Sequence, residues 1–176
     1  FNNENDDFSF FASNSRPQPT IFQGDSSSNN FVGTTGTDVL IGRGGADTLD
    51  AVADNAEDFF TYEFPTDGTL TSDGVVSPTT GDIVKNFKTG QDEFEFVGNN
   101  FGISSQFLTT GVNFFEVNGY NGINSNAGSN TPYFVFDNNV NTLYFDQDIA
   151  DGSFTVIATL GAGSSANVAV GDIHII

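Results

Sequence analysis

Glycine, aspartate and asparagine recur in the first third of this chain at a spacing that suits a hard cation. In GTTGTDVLIGRGGADTLD, residues 33–50, two nine-residue blocks follow each other, Gly33 to Ile41 and Gly42 to Asp50. Each carries glycine at its first and fourth places, aspartate at its sixth (Asp38, Asp47) and leucine at its eighth (Leu40, Leu49). Glycine permits φ > 0, so the first six residues can make a tight turn whose carbonyls converge. The turn carbonyls of Gly33, Thr35, Gly42 and Gly44 are candidate ligands, joined by the carboxylates of Asp38 and Asp47. Calcium takes roughly 6 to 8 oxygens of this mixed kind. Two stacked turns are then needed to complete one shell.

The register extends in both directions. One block back, GDSSSNNFV (24–32) puts Asn29 sixth and Phe31 eighth; forward, the register slips by two, and NAEDFFTY supplies Asp58 and Phe60. Places seven to nine read as a short strand whose eighth side chain points inward. Two blocks make one circuit of a coil, so turns on one edge recur after about 18 residues. Asn29 then faces Asp47, and Asp38 faces Asp58 across a 20-residue step.

This pattern resembles the repeats-in-toxin nonapeptide, G-G-x-G-x-D-x-U-x, of calcium-binding parallel β-rolls. Thr34 and Arg43 replace its second glycine, and Asn29 replaces one aspartate, which implies weak or empty outer sites. GDIVKNFKTGQDEFEF (81–96) is similar to the segment that follows the roll in serralysin-like secreted proteins. Asp82, Gly90 and Asp92 match that pattern, and Asn86 stands where aspartate is usual. FVFDNNVNTLYFDQDIADGSFTVIATL (134–160) is similar to the late hairpin of that family, with Asp146, Asp148 and Asp151 in its acidic loop. The resemblance implies either another calcium there or an ordinary acidic turn. GDIHII at 171–176 resembles the uncleaved ending of a type I secretion substrate, and also reads as a last edge strand.

The elements that must position these residues are strands. EFEFV at 93–97 alternates, YFVFD at 133–137 is a buried-strand candidate, and FTVIATL at 154–160 is rich in β-formers. Convincing amphipathic helices are scarce. The expected fold is all-β: a short calcium-binding parallel β-roll running into a C-terminal antiparallel β-sandwich-like region. We expect an extended N-terminal arm at 1–23, the roll at 24–64, and a β-rich region at 65–176 continuous with it. A long loop or small hairpin is expected at 65–80, and a loop at 118–130.

Composition narrows the partners. Asp and Glu number 23 against 4 Lys and Arg, a net charge of −19. Nucleic acid and anionic membranes suit such a surface poorly, and cations suit it well. Twenty phenylalanines argue for a folded core rather than acidic disorder. Without cysteine there is neither a disulfide nor a thiolate site, so an extracellular chain needs another staple, and a bound metal would serve. No apolar run predicts membrane insertion and no N-terminal signal peptide is visible. The absence of methionine suggests a processed product or the C-terminal part of a longer chain.

The chain lacks H-E-x-x-H and G-x-S-x-G, and His174 is its one histidine. We therefore expect no catalysis here. The expected function is a secreted, calcium-binding structural or interaction protein of the cell surface or extracellular matrix. It would fold on calcium and self-assemble through its N-terminal arm or its sheet edges. The alternative is the calcium-binding and type I secretion module of a larger secreted hydrolase or toxin.

Overall fold

Short runs of β-branched and aromatic residues between glycine-rich turns give strands of three to seven residues, and in the first half of the chain they stack in parallel. The computed structural model describes residues 18–71, 81–104, 106–122, 132–147 and 152–176. Within these the strands are β1 (Thr20–Gln23), β2 (Asn30–Val32), β3 (Asp38–Ile41), β4 (Thr48–Asp50), β5 (Phe59–Tyr62), β6 (Thr69–Thr71) and β7 (Asp82–Lys85). They continue with β8 (Glu93–Phe96), β9 (Phe114–Val117), β10 (Tyr133–Asp137), β11 (Thr142–Asp146), β12 (Phe154–Leu160) and β13 (Ile173–Ile175). The only regular non-strand pieces among the described residues are two single 3-10 turns, Pro65–Asp67 and Val170–Asp172. The fold is all-β.

From β1 to β5 successive strands alternate between two sheets. One runs β1-β3-β5-β8-β13; the other runs β2-β4-β7-β12-β11-β10-β9, with β6 pairing β12. Every pair from β1 to β8 within these sheets is parallel. Register follows the repeat: Leu40 pairs Phe60, which pairs Phe94, and Phe31 pairs Leu49, which pairs Val84. These eighth-place residues point between the sheets. Leu40, Leu49, Phe60, Val84 and Phe94 are fully or almost fully buried there. Phe60 and Phe94 lie 5.6 Å apart, centroid to centroid, and Phe87 packs on Phe94 at 5.0 Å. A fully buried side chain of this size stabilises by about 2–3 kcal/mol, so the aromatic stack is the mechanical axis of the roll.

The roll does not stop at residue 64, where the nonapeptide register fades. β7 stacks on β4 and β8 stacks on β5, so the segment expected to follow the roll supplies two more of its strands. The C-terminal region extends the same two sheets. β12 joins β7 and β13 joins β8, both in parallel, while β10, β11 and β12 pair antiparallel and β9 adds to β10 in parallel. Antiparallel pairing thus joins only β10, β11 and β12 to one another and β6 to β12, within a sheet that is otherwise parallel. The expected loop at 65–80 begins with the 3-10 turn and β6, and its remainder, 72–80, lies outside the described residues. Residues 1–17 of the arm, 123–130 of the second expected loop, and Asp148 and Asp151 lie outside them too.

Candidate functional site

Each edge of the roll is a stack of turns, and each turn ends on an aspartate or asparagine that reaches back to the turn before it. On the first edge the amide of Asn29 donates to Oδ1 of Asp47 at 2.6 Å, and the amide of Asp47 donates to Oδ1 of Asp82 at 2.9 Å. On the second edge the amide of Asp38 donates to Oδ1 of Asp58 at 2.9 Å, and that of Asp58 to Oδ1 of Asp92 at 3.2 Å. The following peptide tightens the joint. The amides of Thr48, Ile83 and Glu93 donate to the carbonyls of Asn29, Asp47 and Asp58 at 2.8–2.9 Å. Asn29, Asp47 and Asp58 are therefore each held on both amide and carbonyl by the rung above. The amide half of the joint uses a short side chain with an acceptor oxygen, which suits Asp or Asn at the sixth place.

The second carboxylate oxygen usually caps its own turn. Oδ2 of Asp38 accepts the amide of Thr34 at 2.5 Å, and Oδ2 of Asp92 accepts that of Lys88 at 2.8 Å. Asn29 does the same with Oδ1 for the amide of Asp25, at 3.0 Å. Glycine at the first place leaves room for this inward bend: a Cβ at Gly42 would overlap Oδ2 of Asp47, and one at Gly33 would lie 2.5 Å from Oδ2 of Asp38.

Asp47 breaks the pattern. The residue four before it is Arg43, whose φ is 65°, and no amide reaches Oδ2 of Asp47. That oxygen is buried without a partner in a residue 1% exposed. Leaving a carboxylate oxygen so placed is costly. Burial raises the Asp47 carboxyl above its ordinary range, against the opposing pull of the Asn29 amide, and the charges of Asp25 and Asp67 raise it further.

Its neighbours are similarly burdened. Burial pushes Asp82 up to about 7, with added repulsion from Asp47 and Asp67 and with relief from the Asp47 amide and the Tyr62 hydroxyl. On the other edge burial pushes Asp58 up to about 7, with Asp92, Asp38 and Asp54 adding to it. Each edge thus gathers at least four aspartates: Asp25, Asp47, Asp67 and Asp82 on one, and Asp38, Asp54, Asp58 and Asp92 on the other. Among the described residues no three carboxylate or imidazole side chains converge closely enough to hold a metal by themselves. A cation on either edge needs turn carbonyls as well, the mixed shell that a hard cation takes. The partnerless Oδ2 of Asp47 and the glycine cradle at Gly42 fit such an ion.

The remaining expected ligands fall in three places. The exposed Thr35 and the half-buried Gly33 and Gly44 lie in the turns, and the backbone of Gly44 faces Ser26 on the previous turn and the Thr66 carbonyl on the next. Asp82 and Asp92 are rungs of the two ladders rather than members of a separate motif. Asp146 sits apart, at the end of β11, where Oδ2 accepts the hydroxyls of Tyr133, at 2.9 Å, and Tyr120.

The sequence reading missed Asp67. The amides of Glu63 and Phe64 donate to its Oδ2 at 2.7 and 2.9 Å, the cap that Asp92 gives Lys88. The signal was present in EFPTDG, with Glu63 and Asp67 four apart as in Thr34 and Asp38. Asp67 and Asp82 therefore divide one rung between them: Asp67 caps its own turn, the chain leaves to form β6, and Asp82 returns to hold Asp47. Asp172 was missed as a cap as well, and it accepts the Gly90 and Ala169 amides at 2.7 and 2.8 Å. It fastens β13 onto the second edge, beside which His174 Nδ1 meets Glu93 Oε2 at 2.7 Å.

Comparison with protein-family models and with curated proteins finds no match to this chain. Among the described residues no helix is long and apolar enough to cross a membrane.

Proposed function

We propose that this chain is a secreted calcium-binding structural or interaction protein of the cell surface or extracellular matrix, whose roll is completed by calcium held between stacked turns. The observation that carries this reading is Oδ2 of Asp47, buried and without a partner, with Asp25, Asp67 and Asp82 around it. A divalent cation there supplies the missing partner and offsets the repulsion that raises these carboxyls. The shell would draw on Asp47 and the turn carbonyls on the first edge, and on Asp58 and its neighbours on the second. Binding to the folded form alone stabilises it by mass action, and weak sites of about 10⁻⁴ to 10⁻³ M suit a calcium-rich exterior.

The resemblance to repeats-in-toxin rolls supports the same reading, because Gly33 and Gly42 open nine-residue blocks whose sixth residues are Asp38 and Asp47. Self-association is part of the proposal. Among the described residues the outer strands β1 and β13 of the five-stranded sheet have one paired side each, a geometry that accepts strand addition. Circular dichroism and sedimentation velocity on the full chain, titrated with calcium and then with EGTA, test both parts. The proposal requires higher thermal stability with calcium, reversed on chelation, and growth beyond monomer size. A chain with the same melting temperature in calcium and in EGTA overturns it.

A further inference from the structure

Arg43 occupies the place that the nonapeptide gives to its second glycine, in a left-handed conformation (φ 65°) that residues with a side chain rarely adopt. From there its Nη1 donates to the carbonyl of Gly24 at 3.3 Å, and its Nε pairs with Oε2 of Glu63 at 3.2 Å. Gly24 opens the preceding turn of the first edge and Glu63 opens the following one. A single guanidinium therefore ties three stacked turns together on the edge that carries Asp25, Asp47, Asp67 and Asp82. The chain has only 4 Lys and Arg in all. The second edge has no guanidinium among the described residues, only Lys88 beside Asp92.

We propose that Arg43 is a tethered counter-cation of the first edge, holding its turns together when calcium is scarce and competing with calcium for the same oxygens. This rests on the calcium reading above. An ion seated on Oδ2 of Asp47 between the first two turns draws on the turn carbonyls, and Arg43 already holds that of Gly24. Calcium entering this edge displaces the guanidinium, so the edge of Asp38, Asp58 and Asp92 fills first. The departure from the repeat at residue 43 is then a built-in cation in place of a glycine.

The test compares the full chain with Arg43→Gln, Arg43→Gly and Lys85→Gln, following thermal unfolding in EGTA and along a calcium titration. Gln keeps a side chain at the left-handed position and Gly removes it, which separates backbone strain from charge. Lys85→Gln removes the same charge from β7, away from the turns. We expect Arg43→Gln to lower the melting temperature in EGTA. We also expect it to shift the calcium midpoint down by about two- to tenfold, the range for a partly exposed charged contact. Arg43→Gly should shift the midpoint equally, and Lys85→Gln should leave it in place. The proposal is overturned if both Arg43 variants lose the same stability at every calcium concentration, or if Lys85→Gln shifts the midpoint as far. If the wild-type chain itself melts identically in EGTA and in about 10 mM calcium, the calcium reading falls and the competition falls with it. The wild-type curve alone tells these failures apart.

Discussion

The amide of Asp47 donates to Oδ1 of Asp82 at 2.9 Å, although 35 residues separate the two in the chain. The other oxygen of Asp82 accepts the hydroxyl of Tyr62 at 3.0 Å. All three residues are buried. This joint carries the first edge of the roll past the excursion that begins at Asp67, and it links the nonapeptide blocks to everything that follows.

Asp82→Ala removes both acceptors and strands a buried amide and a buried hydroxyl. At about 1–3 kcal/mol for each group left unpaired, unfolding by urea should show a loss of about 2–5 kcal/mol. Asp82→Asn keeps the oxygen that Asp47 needs and removes a buried charge, so its cost should stay under about 1.5 kcal/mol. An Asp82→Ala chain as stable as wild type would mean that the two turns are not joined in this way.

The acidity of the ladder has a signed consequence. Burial raises Asp58 and Asp82 to about 7 in the folded chain, against about 3.9 when unfolded. Between these values the folded state binds more protons than the unfolded one, so stability falls as pH rises. In EGTA this contribution should be complete at and below about pH 4, should fall as pH climbs to about 7, and should level off above it. Most acidic proteins whose carboxylates are salt-bridged do the opposite. A metal-free melting temperature that rises from pH 5 to pH 8 contradicts the ladder's protonation.

How much of this was legible in the sequence depends on what each residue does. Gly33, Asp38, Gly42 and Asp47 were legible because a tight turn, a cap and an inward side chain recur every nine residues, and the pairs Asn29–Asp47 and Asp38–Asp58 follow from counting. Leu40, Leu49 and Phe60 were legible as core for the same reason. Asp82 and Asp92 drew notice only through resemblance, since the excursion after Asp67 breaks the count that makes them rungs. Arg43 looked like a mere departure from the repeat, because its contacts to Gly24 and Glu63 depend on turns 19 and 20 residues away. Asp146 lies in an acidic run that reads equally as ligand or turn, and the tyrosine at position 120 gives no local hint that it will reach that carboxylate.

Glycine at two places in the 42–47 turn answers to different demands. A Cβ at Gly42 would overlap Oδ2 of Asp47, whereas Gly45 has φ 123° and a Cβ there would lie 2.9 Å from the Ser27 carbonyl. Gly42→Ala should force the Asp47 side chain out of its inward bend, and it should weaken calcium-dependent stabilisation more than it weakens the metal-free fold. Gly45→Ala meets backbone rather than a movable side chain, and should cost at least about 1–3 kcal/mol with or without calcium. Melting curves of both variants in EGTA and in calcium check this. Equal behaviour of the two variants would remove the distinction.

Asp146 supplies the sharpest separation between a structural and a metal role in the C-terminal sheet. Its residue is 1% exposed, and one oxygen accepts the hydroxyls of Tyr120 and Tyr133, which are themselves buried. Burial raises the Tyr120 hydroxyl far above its ordinary value, and the bonds to Asp146 and Tyr133 raise it further, so it remains a donor at any ordinary pH. Asp146→Ala removes the acceptor the two hydroxyls share, although they still bond each other at 3.2 Å, and should cost about 1–3 kcal/mol in EGTA. Adding Tyr120→Phe and Tyr133→Phe to that variant should recover part of the loss, because two apolar rings need no acceptor. A cost that appears only when calcium is present, with no recovery from the phenylalanines, would place Asp146 in a metal shell shared with its own loop instead of in the tyrosine cradle.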